Sequence, residues 1–246
     1  MKNKLDGLHI KLIAIFGMFI NHMGSIFSWS YHSQTLPLYA ISEFVGKFTF
    51  PIMAYLLVEG FYYTRNKRKY AARLAMFWLL SIYPFYLMHS APYGAFSVID
   101  IPNNILFTLL MGLLMLMCYD KVNNKIARFF IVFIFAIFTI LSDWNVIGII
   151  LVWAFYQFHH KKGIKITLGI YFLVFELIAI IGLFTITHPV RPMIELLGSF
   201  GFLVVAYFLT NYNGKRGYSP SWIKWGFYLF YPAHLVILEM ISYFLF

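Results

Sequence analysis

The stretch Leu8-His-Ile-Lys-Leu-Ile-Ala-Ile-Phe-Gly-Met-Phe-Ile-Asn-His-Met-Gly24 decides how the rest of the chain reads. It has the apolar character of a membrane helix, yet it carries Lys11 and His22. Eleven residues on an α-helix make a rotation of about 1100°, three turns plus roughly 20°, with a rise of about 16 Å. Both side chains therefore share one face. Polar groups inside hydrocarbon are costly and ordinarily face a bundle interior or a wet cavity, so this stripe is a candidate functional site. Asn21, beside His22, points about 100° away from it and suits a partner on a neighbouring helix.

Composition agrees with a membrane setting. The 246 residues are 61% hydrophobic, 21% aromatic and only 11% charged, with a mean hydropathy of +0.76. That excludes an ordinary soluble domain and points to an all-α polytopic membrane protein, expected as a single domain over 1–246. The start, Met1-Lys-Asn-Lys4, resembles the head of a secretory signal. Lys11 interrupts the apolar run, however, and no small-residue cleavage site follows Gly24, so the segment is expected to be a retained helix. A formal net charge of +10 would suggest nucleic acid in a soluble protein. Here the basic residues lie in short connections, where they set topology, and no nucleic-acid partner is expected. The one cysteine, Cys118, allows no intramolecular disulfide and reads as a small core residue.

Cut by its loops, the chain gives nine expected helices at about 8–28, 42–63, 71–88, 102–119, 126–142, 144–159, 164–184, 193–211 and 222–246, the fifth and sixth short enough to be tilted or re-entrant. Sixteen of the nineteen basic residues fall on alternate connections: Lys2 and Lys4; Arg65, Lys67, Arg68, Lys69 and Arg73; Lys121, Lys125 and Arg128; Lys161, Lys162 and Lys165; and Lys215, Arg216 and Lys224. The opposite loops, 29–41, 89–101, around Asp143 and 185–192, carry only Arg191. The positive-inside rule then puts the N-terminus in the cytoplasm and the C-terminus outside, which an odd number of helices requires.

That orientation places His22 in the outer half of the first helix and Lys11 near its cytoplasmic end. Glu43 and Lys47, four residues apart, can pair on the second helix, while Glu59 lies near its cytoplasmic end. Phe50-Pro51 and Tyr231-Pro232 would each remove a backbone hydrogen bond within a helix, kinking it or opening it toward a cavity. The first, second and ninth helices, with His234 midway along the last, are thus the expected lining of one site.

Each candidate has a structural alternative. A buried neutral imidazole at His22 keeps its ability to accept a proton and suits a general base, but the same ring also serves for packing against a neighbour. Lys11 is a ligand contact or a snorkelling anchor. Glu43 and Lys47 are catalytic groups or a structural intramembrane pair. Glu59 and the Arg65–Lys69 run are a solvated helix end and a topology signal, or contacts to an anionic cofactor. His32, His89, His159, His160 and His188 read as surface residues without metal-ligand spacing, and no metal is expected. No P-loop, Gly-x-Ser-x-Gly, Cys-x-x-Cys or dinucleotide-binding pattern is present.

Leu8 to Gly24, Gly46-Lys-Phe-Thr-Phe-Pro-Ile-Met-Ala-Tyr-Leu-Leu-Val-Glu-Gly-Phe-Tyr-Tyr-Thr-Arg-Asn66 with Lys69, Tyr70 and Arg73, Asn104 to Gly112, and Tyr228-Leu-Phe-Tyr-Pro-Ala-His-Leu235 resemble the TraX family. The match covers the first half and the last helix, and residues 120–220 add little beyond hydropathy. The family is named for a bacterial conjugation protein that N-acetylates the N-terminus of pilin, and it is similar to the larger group of integral-membrane acyltransferases. Those enzymes carry a basic residue, ten intervening residues and a histidine in the first helix. Lys11 and His22 match that spacing, with Lys where Arg is usual, and Asn21 stands where many family sequences have Asp.

The resemblance implies a membrane acyltransferase of the bacterial cytoplasmic membrane that uses acetyl-CoA. Lys11, Glu59, Arg65 and Arg73 would serve the cofactor, His22 would act as base or acyl carrier with Glu43 and Lys47, Lys47 stabilising the oxyanion, and Asn21 and His234 would contact the acceptor. That acceptor would be a pilin N-terminus, a glycan or a lipid. Two other classes fit the same intramembrane charges: a transporter, although no internal repeat is seen, and a non-catalytic envelope assembly factor.

Overall fold

The computed structural model describes residues 5–27, 33–89, 94–186 and 189–245. Lys2, Lys4, His32 and His188 lie outside the described residues. Within them the chain forms eleven α-helices and no named strand, with one isolated bridge between Leu5 and Tyr212. The helices are α1 (Gly7–Ile26), α2 (Leu36–Gly46), α3 (Thr49–Tyr63), α4 (Lys67–His89), α5 (Ile105–Tyr119), α6 (Lys125–Phe138), α7 (Asn145–Gln157), α8 (Lys161–Thr185), α9 (Val190–Ser199), α10 (Gly201–Thr210) and α11 (Ser221–Leu245). A chain in hydrocarbon must satisfy its backbone polar groups internally, so apolar runs of this kind become helices despite their β-branched and aromatic content.

Each of the nine apolar stretches is helical, but nine spans is not the count that length and composition carry. Among the described residues six helical segments are long and apolar enough to cross a membrane: Gly7–Ile26, Leu36–Tyr63, Lys67–His89, Lys161–Thr185, Val190–Thr210 and Ser221–Phe244. The other three, α5, α6 and α7, have 15, 14 and 13 residues. They rise only about 20–22 Å against a hydrocarbon core of about 30 Å. The apolar stretch 126–142 overran its helix because Ile140 and Leu141 belong to a turn. There Thr139 donates to the Ala136 carbonyl and Ser142 to the Thr139 carbonyl.

Two expected helices are each broken in two. Helix begins at Leu36, with Pro37 at its start, so 36–41 is not loop. It stops at Lys47, and α3 begins at Thr49. Pro51 therefore stands in the first turn of α3, where a missing N–H costs nothing, rather than in mid-helix. The 193–211 stretch breaks at Phe200, between Ser199 and Gly201. Pro232, in contrast, does lie inside a continuous α11.

The chain divides into two compact units. The first comprises Met1–Ile52 and Phe158–Ser219; the second comprises Met53–Gln157 and Pro220–Phe246. In the first unit α1 packs on α2, α2 on α9, and α8 on both α9 and α10. The approach is close enough to exclude side chains at two points. A Cβ on Gly17 would stand 2.6 Å from the Val45 carbonyl oxygen, and one on Gly201 would stand 2.6 Å from that of Phe44. Small residues at helix contacts are the usual means of bringing membrane helices backbone to backbone. The outer face of α8, with Leu173, Leu177 and Phe184, stays exposed, as a lipid-covered face would.

In the second unit α4 packs on α5 and α11, α5 on α6 and α7, and α6 on α7. Aromatic pairs fill it: Phe77 stacks on Tyr228 at 5.3 Å, and Trp78 packs on Phe107 while donating to the Ile101 carbonyl. Thr108 and Ser142 share a buried hydrogen bond of 2.7 Å that ties α5 to the turn before α7. Cys118, expected in the core, is exposed on α5.

Candidate functional site

Helix α1 is held at its start by Asp6, whose carboxylate accepts from the amides of Leu8 and His9. His9 Nδ1 lies 2.8 Å from the same oxygen. Burial works to raise the Asp6 carboxyl's pKa, but these hydrogen bonds and the His9 charge outweigh it and hold it below its ordinary value. The buried residues of α1 are Gly7, Ile10, Ala14, Gly17, Met18, His22 and Gly24. Their spacing of three and four is the inward stripe of an amphipathic helix. His22, 7% exposed, belongs to that stripe, and Lys11 lies half-buried along it. The face predicted from the spacing is therefore the packed face.

The Lys11 end has a feature that sequence reasoning did not assign to the site. Gly7 N donates to the Lys215 carbonyl at 2.8 Å, and Asn213 N donates to that of Leu5 at 2.9 Å. The 212–217 connection is thereby fastened to the start of α1. This brings Arg216 close enough to act on Lys11 as a like charge. In the sequence Arg216 looked like one more topology charge.

Beside His22, α2 contributes a polar network. Asn21 Nδ2 donates to the Ser42 carbonyl at 3.2 Å and to Glu43 Oε1 at 3.1 Å, as its orientation away from His22 suggested. Lys47 Nζ lies 3.8 Å from Glu43, the expected pair. Its nearer partner is Glu195 of α9 at 2.8 Å. The ammonium also sits 5.2 Å from the centre of the Phe175 ring. On α8, Glu176 accepts from Ser199, which is fully buried. Glu195, Glu176 and Ser199 were missed from the sequence; the available signal was a carboxylate standing alone in an apolar run, which must find a partner.

The remaining candidates belong to the second unit. Glu59 is 8% exposed on α3 rather than a solvated helix end. Arg65 is exposed, and the neighbouring Asn66 caps α4 by accepting from Lys69 N. Arg73 is half-buried, with its guanidinium 5.7 Å and 6.0 Å from the Tyr70 and Tyr228 ring centres. Its Nε is buried without a hydrogen-bond partner. His234 is 3% exposed and stacks on Phe230. Its Nδ1 lies 2.8 Å from the Phe230 carbonyl, which assigns the ring proton to Nδ1 and makes Nε2 the basic nitrogen of the neutral form. His89 is half-buried and stacked on Phe85 rather than at the surface. Among the described residues no three His, Cys, Asp or Glu gather as a metal site.

Fold and site together define an all-helical membrane protein with a buried histidine and half-buried paired charges among its helices. The chain belongs to the TraX family, described as "TraX protein", which it matches over residues 6–242. It is similar, at 28% identity over 257 aligned positions covering 97% of each chain, to a Dichelobacter nodosus protein named "Probable fimbrial assembly protein FimC, serogroup H1". No solved structure matches it.

Proposed function

We propose that the protein is an acyltransferase of the bacterial cytoplasmic membrane, with its N-terminus in the cytoplasm, that moves an acetyl group from acetyl-CoA to an amine or hydroxyl. The observation that carries this reading is the packed face of α1, on which His22 is buried and Lys11 half-buried, with the connection that carries Arg216 fastened to the start of the helix through Gly7 and Lys215. Lys11 and Arg216 would bind phosphate groups of the donor, and the rise of about 16 Å to His22 is comparable to the reach of an extended pantetheine arm. His22 would take the proton from the acceptor nitrogen or oxygen as that atom attacks the thioester carbonyl. The new C–N or C–O bond forms, the C–S bond breaks, and the thiolate leaves and takes up a proton.

Lys47 is already held by Glu43 and Glu195, and Asn21 by Glu43 and Ser42. Their proposed part is to fix α2 against α1 beside His22, so that the imidazole is presented in one orientation. The relative's name favours a pilin or fimbrial acceptor, with a glycan or lipid as other acceptors of the same chemistry.

The test is acetyl transfer by purified protein from labelled acetyl-CoA, with the donor's binding followed by thermal stabilisation. The expected results are binding that weakens in Lys11→Ala and transfer that is lost in His22→Ala while binding persists. Full transfer by His22→Ala sinks the assignment. A second reading, a non-catalytic assembly factor, is favoured by the same name; it expects no acetyl-CoA binding and normal fimbriae in cells carrying His22→Ala.

A further inference from the structure

The second unit contains a cavity of about 570 Å³ between α6 and α7. Its size is that of a small-molecule site. Lys125 and Arg128 stand at one end, and Phe129 and Phe133 of α6 face Ile150 and Trp153 of α7 along its length. Ala136 and Val146 line the far end. Positions 125, 128, 129, 132, 133 and 136 follow the three- and four-residue spacing of one face of α6, so the groove runs lengthwise, from cations to hydrocarbon, over about 16 Å of helix.

Among the described residues the cations at its mouth form no ion pair. Arg128 donates from Nε to the Val122 carbonyl and lies 4.8 Å from the Tyr119 ring centre. Among the described residues neither it nor Lys125 has a carboxylate partner, while the nearby Asp120 pairs with Lys67 and accepts from Tyr156. The 14 residues of α6 are too short to span the hydrocarbon. A bilayer meeting such a helix thins or tilts its lipids locally, which brings headgroups down to the level of these cations.

We infer that this groove is a binding site for an anionic glycerophospholipid, its phosphate against Lys125 and Arg128 and one acyl chain between α6 and α7. Charge complementarity selects the headgroup, since a zwitterionic lipid would bring its own cation to a site that already has two. The apolar walls exclude a free phosphate or a soluble nucleotide as the preferred occupant.

The experiment titrates phosphatidylglycerol carrying brominated acyl chains into the detergent-solubilised protein and follows quenching of tryptophan fluorescence, with brominated phosphatidylcholine in parallel. Phosphatidylglycerol is expected to give a saturable phase at a concentration on the order of tenfold lower than phosphatidylcholine. Trp153→Phe should remove that phase, because the bromines lie against this ring. Lys125→Ala combined with Arg128→Ala should abolish the headgroup preference, and Ala136→Phe, which fills the far end and keeps both charges, should weaken both lipids. Thermal unfolding in lipid-free detergent checks that each variant is folded. Equal quenching by the two lipids in the wild type overturns the proposal, as does a headgroup preference that survives in the folded double variant.

Discussion

The two units meet the same demand, placing polar groups among apolar helices, with different materials. In the first unit a lysine is held between two carboxylates from different helices, at side-chain exposures of 12% for Lys47 and 27% for Glu195. Glycines let α1, α2 and α10 approach closely enough to hold the network. In the second unit the corresponding polar cluster is aromatic. Tyr156 donates to Asp120 at 2.9 Å, Tyr62 donates to the Tyr156 carbonyl and stacks on its ring, and Lys67 lies 3.6 Å from Asp120 and 3.5 Å from the Phe61 ring centre. That lysine and aspartate are 34% and 47% exposed. A charge pair shut inside helices depends on its geometry, whereas one at an aromatic rim can fall back on water.

The largest effects should come from the close approaches. Gly201→Leu and Gly17→Leu force α2 away from its neighbours and are expected to cost about 3 kcal/mol or more, seen as collapse of the thermal transition in detergent. Gly169→Ala, whose Cβ would meet nothing within 4 Å, should leave the transition in place. Equal loss in all three would show that the glycines act through something other than contact.

Next, Lys47→Ala strips the counter-charge from Glu43 and Glu195 together, with an expected loss of about 2–3 kcal/mol, discounted from the fully buried case for partial exposure. Lys67→Ala in the second unit should cost less than about 1 kcal/mol and lose even that in high salt. A reversed ranking would break the contrast between the units. Tyr156→Phe should cost about 1 kcal/mol by denaturant titration, the worth of a single hydrogen bond to a charged acceptor at a partly exposed site.

The smallest effect is the pH dependence at the start of α1. The folded Asp6 carboxyl has a lowered pKa, so its contribution is present above the unfolded value near 3.9 and disappears as pH falls through the folded one. Wild-type and Asp6→Asn proteins should therefore converge in melting temperature on acidification from pH 6 to 3, the wild type being more stable at the upper end by under about 1 kcal/mol. Parallel profiles would remove the cap's charge from the account.

Particular residues show how much was legible beforehand. The shared face of Lys11 and His22 followed from helical geometry; on it His22 is buried and Lys11 half-buried. The Glu43–Lys47 pair was visible at four residues' spacing, but Glu195, the closer partner, was not, because no local period connects α2 to α9. The break at Lys47 was hidden because apolar content continues through it; only the position of Pro51 hinted that a helix starts there. The short α5, α6 and α7 were read as spans because hydropathy counts the apolar residues of a turn as readily as those of a helix.

What the sequence determined by itself is the solvent and the local form. Long apolar runs separated by basic connections admit a helical membrane protein, since only helices satisfy the backbone within each run. What the tertiary structure decided is which charge meets which. A lipid-facing leucine and a protein-facing one look alike in sequence, so the partners of Lys47, the approach of Arg216 to Lys11 and the groove beside Trp153 exist only once the helices have packed.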